Sequence, residues 1–109
     1  METNDWDHFE EIIATRVLIE EYSLADAVGE VCRQHPTRDA SSLLLAAISF
    51  VTHFDQDAIF VELQAHETSI DLYRLIAIIA ADVALLPLKS RTCGDLQKFW
   101  MKSNSDVFR

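Results

Sequence analysis

The stretch LYRLIAIIAADVALLPL, from Leu72 to Leu88, decides the fold of this chain of 109 residues. Only two of its residues, Arg74 and Asp82, carry a charge. A helix that apolar needs protein around nearly its whole circumference, and a chain of this length has little else to cover it. We therefore expect one very apolar central helix, at about residues 70–86, within a compact bundle.

A helical wheel places the charges of this helix on one side. At 100° per residue, Asp71, Arg74 and Asp82 fall within a stripe roughly 80° wide. Ile78 and Leu85 lie inside the same stripe, between the charges. The one face that could meet water is therefore partly apolar. We expect it to form an interface with a partner subunit, through Arg74, Ile78, Asp82 and Leu85.

The composition favours helices throughout the chain. Two Gly and two Pro are too few turn residues for an all-β sandwich. Hydrophobic residues make up 50% and charged residues 25% of the sequence, which is the balance of a globular protein. The length suits one domain. We predict a single all-α domain over residues 1–109, built as a compact bundle of five or six helices.

Four pairs of residues mark helix starts. In each pair a capping residue stands three positions before an acid, which the positive end of the helix dipole stabilises. The pairs are Asn4 and Asp7, Ser23 and Asp26, Thr68 and Asp71, and Thr92 and Asp95. They predict helices over about 5–22, 24–34, 69–86 and 93–102.

The segment 38–67 allows two interpretations. Its apolar positions step by three and four residues from Leu44 to Ala65, and no Gly or Pro interrupts them. It forms either one helix from Arg38 to Glu67 or two helices, with Asp55 capping the second. Residues 58–63 could also form a short strand, although no partner strand is evident.

The charge pattern excludes two classes of partner. The net charge is −9, whereas nucleic acids and anionic membranes need clustered Lys and Arg. The Leu72 run is shorter than the ~20 residues that span a bilayer, and it contains Asp82 and Pro87. The acidic N-terminus lacks the features of a signal peptide. We expect a cytoplasmic protein with Cys32 and Cys93 as thiols.

A metal site is one candidate for chemistry. His53 and Asp57 are four residues apart, as are Glu62 and His66, so each pair shares one face of a helix. On a continuous helix the two pairs lie about 180° apart, because His53 and Glu62 are nine residues apart. A single site would then need further ligands. Solvated surface residues are the simpler interpretation.

A reactive thiol is the other candidate. Cys93 lies in the first turn of the last predicted helix, near Arg91, and both features lower a thiol pKa. Cys32 belongs to an apolar stripe and is predicted to be a small buried hydrophobe. No histidine is near Cys93 in the sequence, so an inert thiol is the simpler interpretation. We predict no catalytic residue and no cofactor.

These observations lead to one favoured hypothesis and two alternatives. The favoured hypothesis is a small acidic interaction or regulatory protein that acts as a homodimer and is not an enzyme. One alternative is a metal-binding or enzymatic bundle that uses His53, Asp57, Glu62 and His66. The other is an acidic antagonist that occupies a basic, nucleic-acid-binding partner through Glu10, Glu11, Glu20 and Glu21.

Overall fold

A computed structural model of the chain describes residues 5–56 and 69–102, with side chains at 6–53 and 71–102. The described residues form an all-α bundle without a strand. Its α-helices are α1 (Asp5–Ala14), α2 (Leu24–Gln34), α3 (Ala40–Gln56), α4 (Ser69–Leu85) and α5 (Cys93–Lys102). The predicted fold class is therefore confirmed. No helix in the two described ranges is long and apolar enough to cross a membrane.

The first helix ends earlier than predicted. A π-helical turn over Thr15–Ile19 continues α1, and Glu21 then adopts a left-handed conformation with φ of 60°. The Tyr22 amide donates to the Arg16 carbonyl at 2.8 Å, which satisfies one of the free carbonyls at the helix end. The predicted end at Tyr22 is wrong, because a left-handed stop on a glutamate leaves no signal in the sequence.

Local capping explains why α2 and α5 begin where predicted. The Asp26 amide donates to the Ser23 hydroxyl at 3.1 Å. At α5 the capping is reciprocal: the Asp95 amide donates to the Thr92 hydroxyl at 3.1 Å, and the Thr92 amide donates back to the carboxylate at 3.2 Å. The pairs that begin with Asn4 and Thr68 include residues outside the described ranges.

The central element is α3, which contacts α1, α2, α4 and α5. It starts at Ala40, two residues later than predicted, after Asp39 accepts a hydrogen bond from the Ser41 amide at 3.0 Å. The helix is continuous through Asp55 to Gln56. Whether residues 38–67 form one helix or two depends on residues outside the described part.

The expected position of the most apolar helix is not confirmed. Within the described residues α4 packs against α3 and α5, and one side of it is exposed. Its inner face contributes apolar side chains to the core, and these are Leu72, Leu75, Ile79, Val83 and Leu86. These five residues lie on one side of α4, so their burial leaves the other side of this apolar helix uncovered. The remainder of α4 has no cover from the described part of the chain.

Two loops meet between α2 and α5. The Ala40 amide donates to the Arg91 carbonyl at 2.8 Å, and the Cys93 amide donates to the Arg38 carbonyl at 2.7 Å. The Gly94 amide donates to the Pro36 carbonyl at 2.8 Å. These bonds hold the loop before α3 against the loop before α5. The first turn of α5 is thereby fixed next to the end of α2.

Candidate functional site

The exposed side of α4 is an apolar feature of the described surface. Between residues 77 and 88 every exposed position is apolar. We call this surface the α4 outer face, and its members are Tyr73, Ala77, Ile78, Ala81, Ala84, Leu85 and Leu88. Leu85 is 69% exposed and Leu88 is 83% exposed, so these two are fully available for contact. Helical spacing places the alanines along the middle of this face.

The structure places the four predicted interface residues in different environments. Arg74, Ile78 and Leu85 are exposed. Asp82 is half-buried, and its carboxylate accepts a hydrogen bond from the indole of the buried Trp100 at 2.8 Å. Asp82 therefore joins α4 to α5. The sequence pattern identified one edge of the exposed face and missed the alanines, since a small apolar residue looks the same in a core and on a surface.

Arg91 caps the C-terminal end of α4. Its side chain donates to the Leu86 carbonyl at 2.9 Å and to the Ala84 carbonyl at 3.1 Å. A cation at this position also interacts favourably with the negative end of the helix dipole. Because Arg91 is used in this way, it holds the end of the α4 outer face in place.

A cleft between α1 and α3 is a second candidate. It encloses about 570 Å³ and is lined by Asp7, Glu10, Glu11, Ala14, Leu18, Phe50 and His53. The Glu10 carboxylate accepts from the Ser49 hydroxyl at 3.0 Å and lies 3.1 Å from Nδ1 of His53. The histidine does not lie between the hydroxyl and the carboxylate, so this is not the order of a hydrolytic triad. The three side chains tie α1 to α3.

The predicted metal ligands are only partly described. His53 contacts Glu10, and its side chain is 67% exposed. Asp57, Glu62 and His66 lie outside the described residues. Within the described ranges, no group of three or more His, Cys, Asp or Glu residues is arranged to hold a metal ion. The described residues therefore include the side chain of one of the four predicted ligands, His53, and it is paired with the Glu10 carboxylate.

The two cysteines lie together in the core. Both are fully buried, which agrees with the prediction for Cys32. A hydrogen bond with the Cys93 thiol and then burial raise the pKa of the Cys32 thiol far above its usual range. Cys93 begins α5 as predicted, and its Sγ lies 3.9 Å from the Asp39 carbonyl. Its complete burial works against the predicted reactivity towards large reagents, because reactive thiols need access.

Two of the four acids assigned to the antagonist hypothesis have partners within the chain. Glu10 binds Ser49 and His53, and Glu20 forms an ion pair with Arg16 one turn earlier. Glu11 and Glu21 are exposed. Of the four carboxylates, those of Glu10 and Glu20 are therefore engaged by other side chains of the same chain.

Comparison of the chain with protein-family models, with curated proteins and with solved structures finds no match in any of the three.

Proposed function

We propose that this protein is a homodimeric interaction module whose two copies meet through the α4 outer face. The observation that carries the proposal is the absence of charge at every exposed position from Ala77 to Leu88. Two copies of a chain with a net charge of −9 repel each other. An uncharged face is where they can approach with the least electrostatic cost, and burying it removes apolar surface from water.

The exposure of the face fits such a contact. Its large members Tyr73, Ile78, Leu85 and Leu88 are 43%, 39%, 69% and 83% exposed, and a standard interface buries about 800 Å² per partner. Monomeric proteins rarely expose contiguous apolar patches larger than a few hundred Å². Burying the α4 outer face against a second copy would remove such a patch from water.

The order of large and small residues favours a second copy as the occupant. A two-fold axis through Ala81 would place Leu85 opposite Ala77 of the other copy, and Ile78 opposite Ala84. Leu85 and Ile78 would then each meet an alanine, as a self-complementary interface between antiparallel helices needs.

Light scattering on a sizing column, over a micromolar concentration series, tests the proposal. We expect the wild-type chain to have the mass of a dimer. Ile78→Glu and Leu85→Glu should weaken the dimer by about a hundredfold or more, because each would bury an unpaired carboxylate at the interface. Both substitutions are at exposed positions, so far-ultraviolet circular dichroism should remain that of the wild type.

Ile19→Glu is the matched control. Ile19 is 76% exposed and lies on the π-helical turn after α1, which packs against α1 and α2. Ile19→Glu adds the same charge at the same residue type as Ile78→Glu, but at a position that is not part of the proposed interface. This variant should therefore remain dimeric. A wild-type chain that is monomeric across the series refutes the proposal. So does a loss of the dimer that is equal in Ile19→Glu and Ile78→Glu, because it would reflect net charge alone.

A further inference from the structure

The cleft between α1 and α3 changes from acidic to apolar along its length. On α1 and the π-helical turn after it, three acids are followed by two apolar residues, and these are Asp7, Glu10, Glu11, Ala14 and Leu18. At 100° per residue these positions share one side of the helix. The rise along the chain from Glu11 to Leu18 is roughly 10 Å, or about two helical turns. The acids therefore lie towards one end of the cleft and the apolar side chains towards the other.

Helix α3 forms the opposite wall of the cleft. Phe50 lines this wall and is only 3% exposed, so it also belongs to the core. The Glu10 carboxylate already has partners on α3, among them Nδ1 of His53 at 3.1 Å. Within the described part of the chain, no hydrogen bond or ion pair engages the carboxylates of Asp7 and Glu11. These two acids are therefore open to a partner from outside the chain.

The acidic and apolar parts together restrict the chemistry of an occupant. An inorganic cation would neutralise the carboxylates but leave the apolar part in water. An uncharged apolar molecule would do the reverse, and an anion would be repelled by a chain with a net charge of −9. A cationic group on an apolar stem satisfies both parts. The volume of about 570 Å³ lies within the range of small-molecule sites, roughly 300–1,000 Å³.

We propose that this cleft binds a small primary amine with an apolar stem of about six carbons. The ammonium group donates to Asp7 and Glu11, and the stem lies against Ala14, Leu18 and Phe50. An extended stem of this length matches the rise between the acidic and the apolar parts. The site uses no residue of the α4 outer face, so it does not depend on formation of the dimer.

Isothermal titration calorimetry with a series of matched ligands tests the proposal. Hexylamine carries both features, propylamine shortens the stem, hexan-1-ol lacks the charge, and hexanoate reverses it. Each buried methylene strengthens binding by about fourfold, so hexylamine should bind roughly tenfold or more tightly than propylamine even with its stem partly buried. Hexylamine should exceed hexan-1-ol by a similar factor, because only the amine makes charge-assisted hydrogen bonds. Hexanoate should not bind.

Amide chemical shifts of the wild-type chain locate the site in the same titration. We expect the largest changes in α1 and in the part of α3 around Phe50. Equal affinities for hexylamine and hexan-1-ol would overturn the proposal, because the acids would then play no part. Equal affinities for hexylamine and propylamine would also overturn it, because the apolar part would then be unused. Shift changes centred on the α4 outer face would refute it by placing the amine elsewhere.

Glu11→Gln and Glu21→Gln form a matched pair of variants. Both glutamates are exposed, and each substitution removes one negative charge. Glu11 lines the cleft, whereas Glu21 follows the π-helical turn and does not line it. Glu11→Gln should weaken hexylamine binding by roughly fivefold, and Glu21→Gln by less than about twofold. An equal loss in the two variants would contradict the proposal, because it would reflect net charge alone.

Discussion

The substitution Gly94→Ala tests the junction of α2 and α5 directly. The Gly94 amide donates to the Pro36 carbonyl oxygen at 2.8 Å. A Cβ at position 94 would lie 2.8 Å from that oxygen and 3.1 Å from the Pro36 Cβ. These contacts are closer than van der Waals distance, and the oxygen belongs to backbone. The loop before α3 would therefore have to move away from α5.

The expected cost follows from these distances. Overpacking of a tight contact costs about 1–3 kcal/mol, and weakening of the amide hydrogen bond adds about 0.5–1.5 kcal/mol. Alanine regains about 0.5–1 kcal/mol over glycine within a helix. Neither glycine of the chain has a positive φ, so backbone strain does not contribute. The net loss should be about 2 kcal/mol, which corresponds to a decrease in Tm of roughly 10 °C.

Gly29→Ala is the matched control in α2. Its Cβ would contact only Nη1 of Arg33, at 3.4 Å, and that atom is the far end of a flexible side chain. Only the higher helix propensity of alanine over glycine then remains, so the free energy of unfolding should rise by about 0.5–1 kcal/mol. Urea and thermal denaturation followed by circular dichroism give both values. A Gly94→Ala variant as stable as the wild type, or two variants that shift in the same direction, would refute the reasoning.

Two further predictions concern helix ends. Hydrogen bonds from the Thr92 side chain and amide hold the pKa of the Asp95 carboxyl below its usual range. Its stabilising effect is therefore present above the unfolded pKa of about 3.9 and is lost as pH falls through the lower folded value. The stability difference between the wild type and Asp95→Asn should be constant near neutral pH and shrink below about pH 4. A difference unchanged in acid would contradict this. Glu21→Gly should raise the free energy of unfolding by about 0.5–1 kcal/mol in urea titrations, because φ is 60° there. Glu20→Gly, at φ of −95°, should bring no gain, and an equal gain would exclude the left-handed turn as its cause.

The features predicted correctly from the sequence are the ones that depend on neighbouring residues. Ser23 with Asp26, and Thr92 with Asp95, each satisfy backbone groups within one turn, so the pattern alone sets where α2 and α5 begin. The end of α1 was missed for the opposite reason. Glu21 takes a conformation that glutamate does not favour, and the bond from Tyr22 to Arg16 has no side-chain signature.

The candidate site shows a second limit of the sequence pattern. Hydrophobicity identifies an apolar helix, but the number of neighbouring helices determines how much of it is covered. The alanines of the α4 outer face suit a core or a surface equally, and Asp82 is oriented by Trp100, 18 residues later in the chain. The Glu10, Ser49 and His53 contacts likewise join α1 to α3 over about 40 positions.

One tertiary contact links the environment of Cys93 to the packing of the chain. The approach of Pro36 to Gly94 leaves no room for a Cβ, and the neighbouring Cys93 is fully buried. A helix N-terminus considered alone favours a reactive thiol, but in this chain the burial of Cys93 removes it from solvent. Gly94→Ala, which weakens the contact, should therefore lower Tm, whereas Gly29→Ala should not.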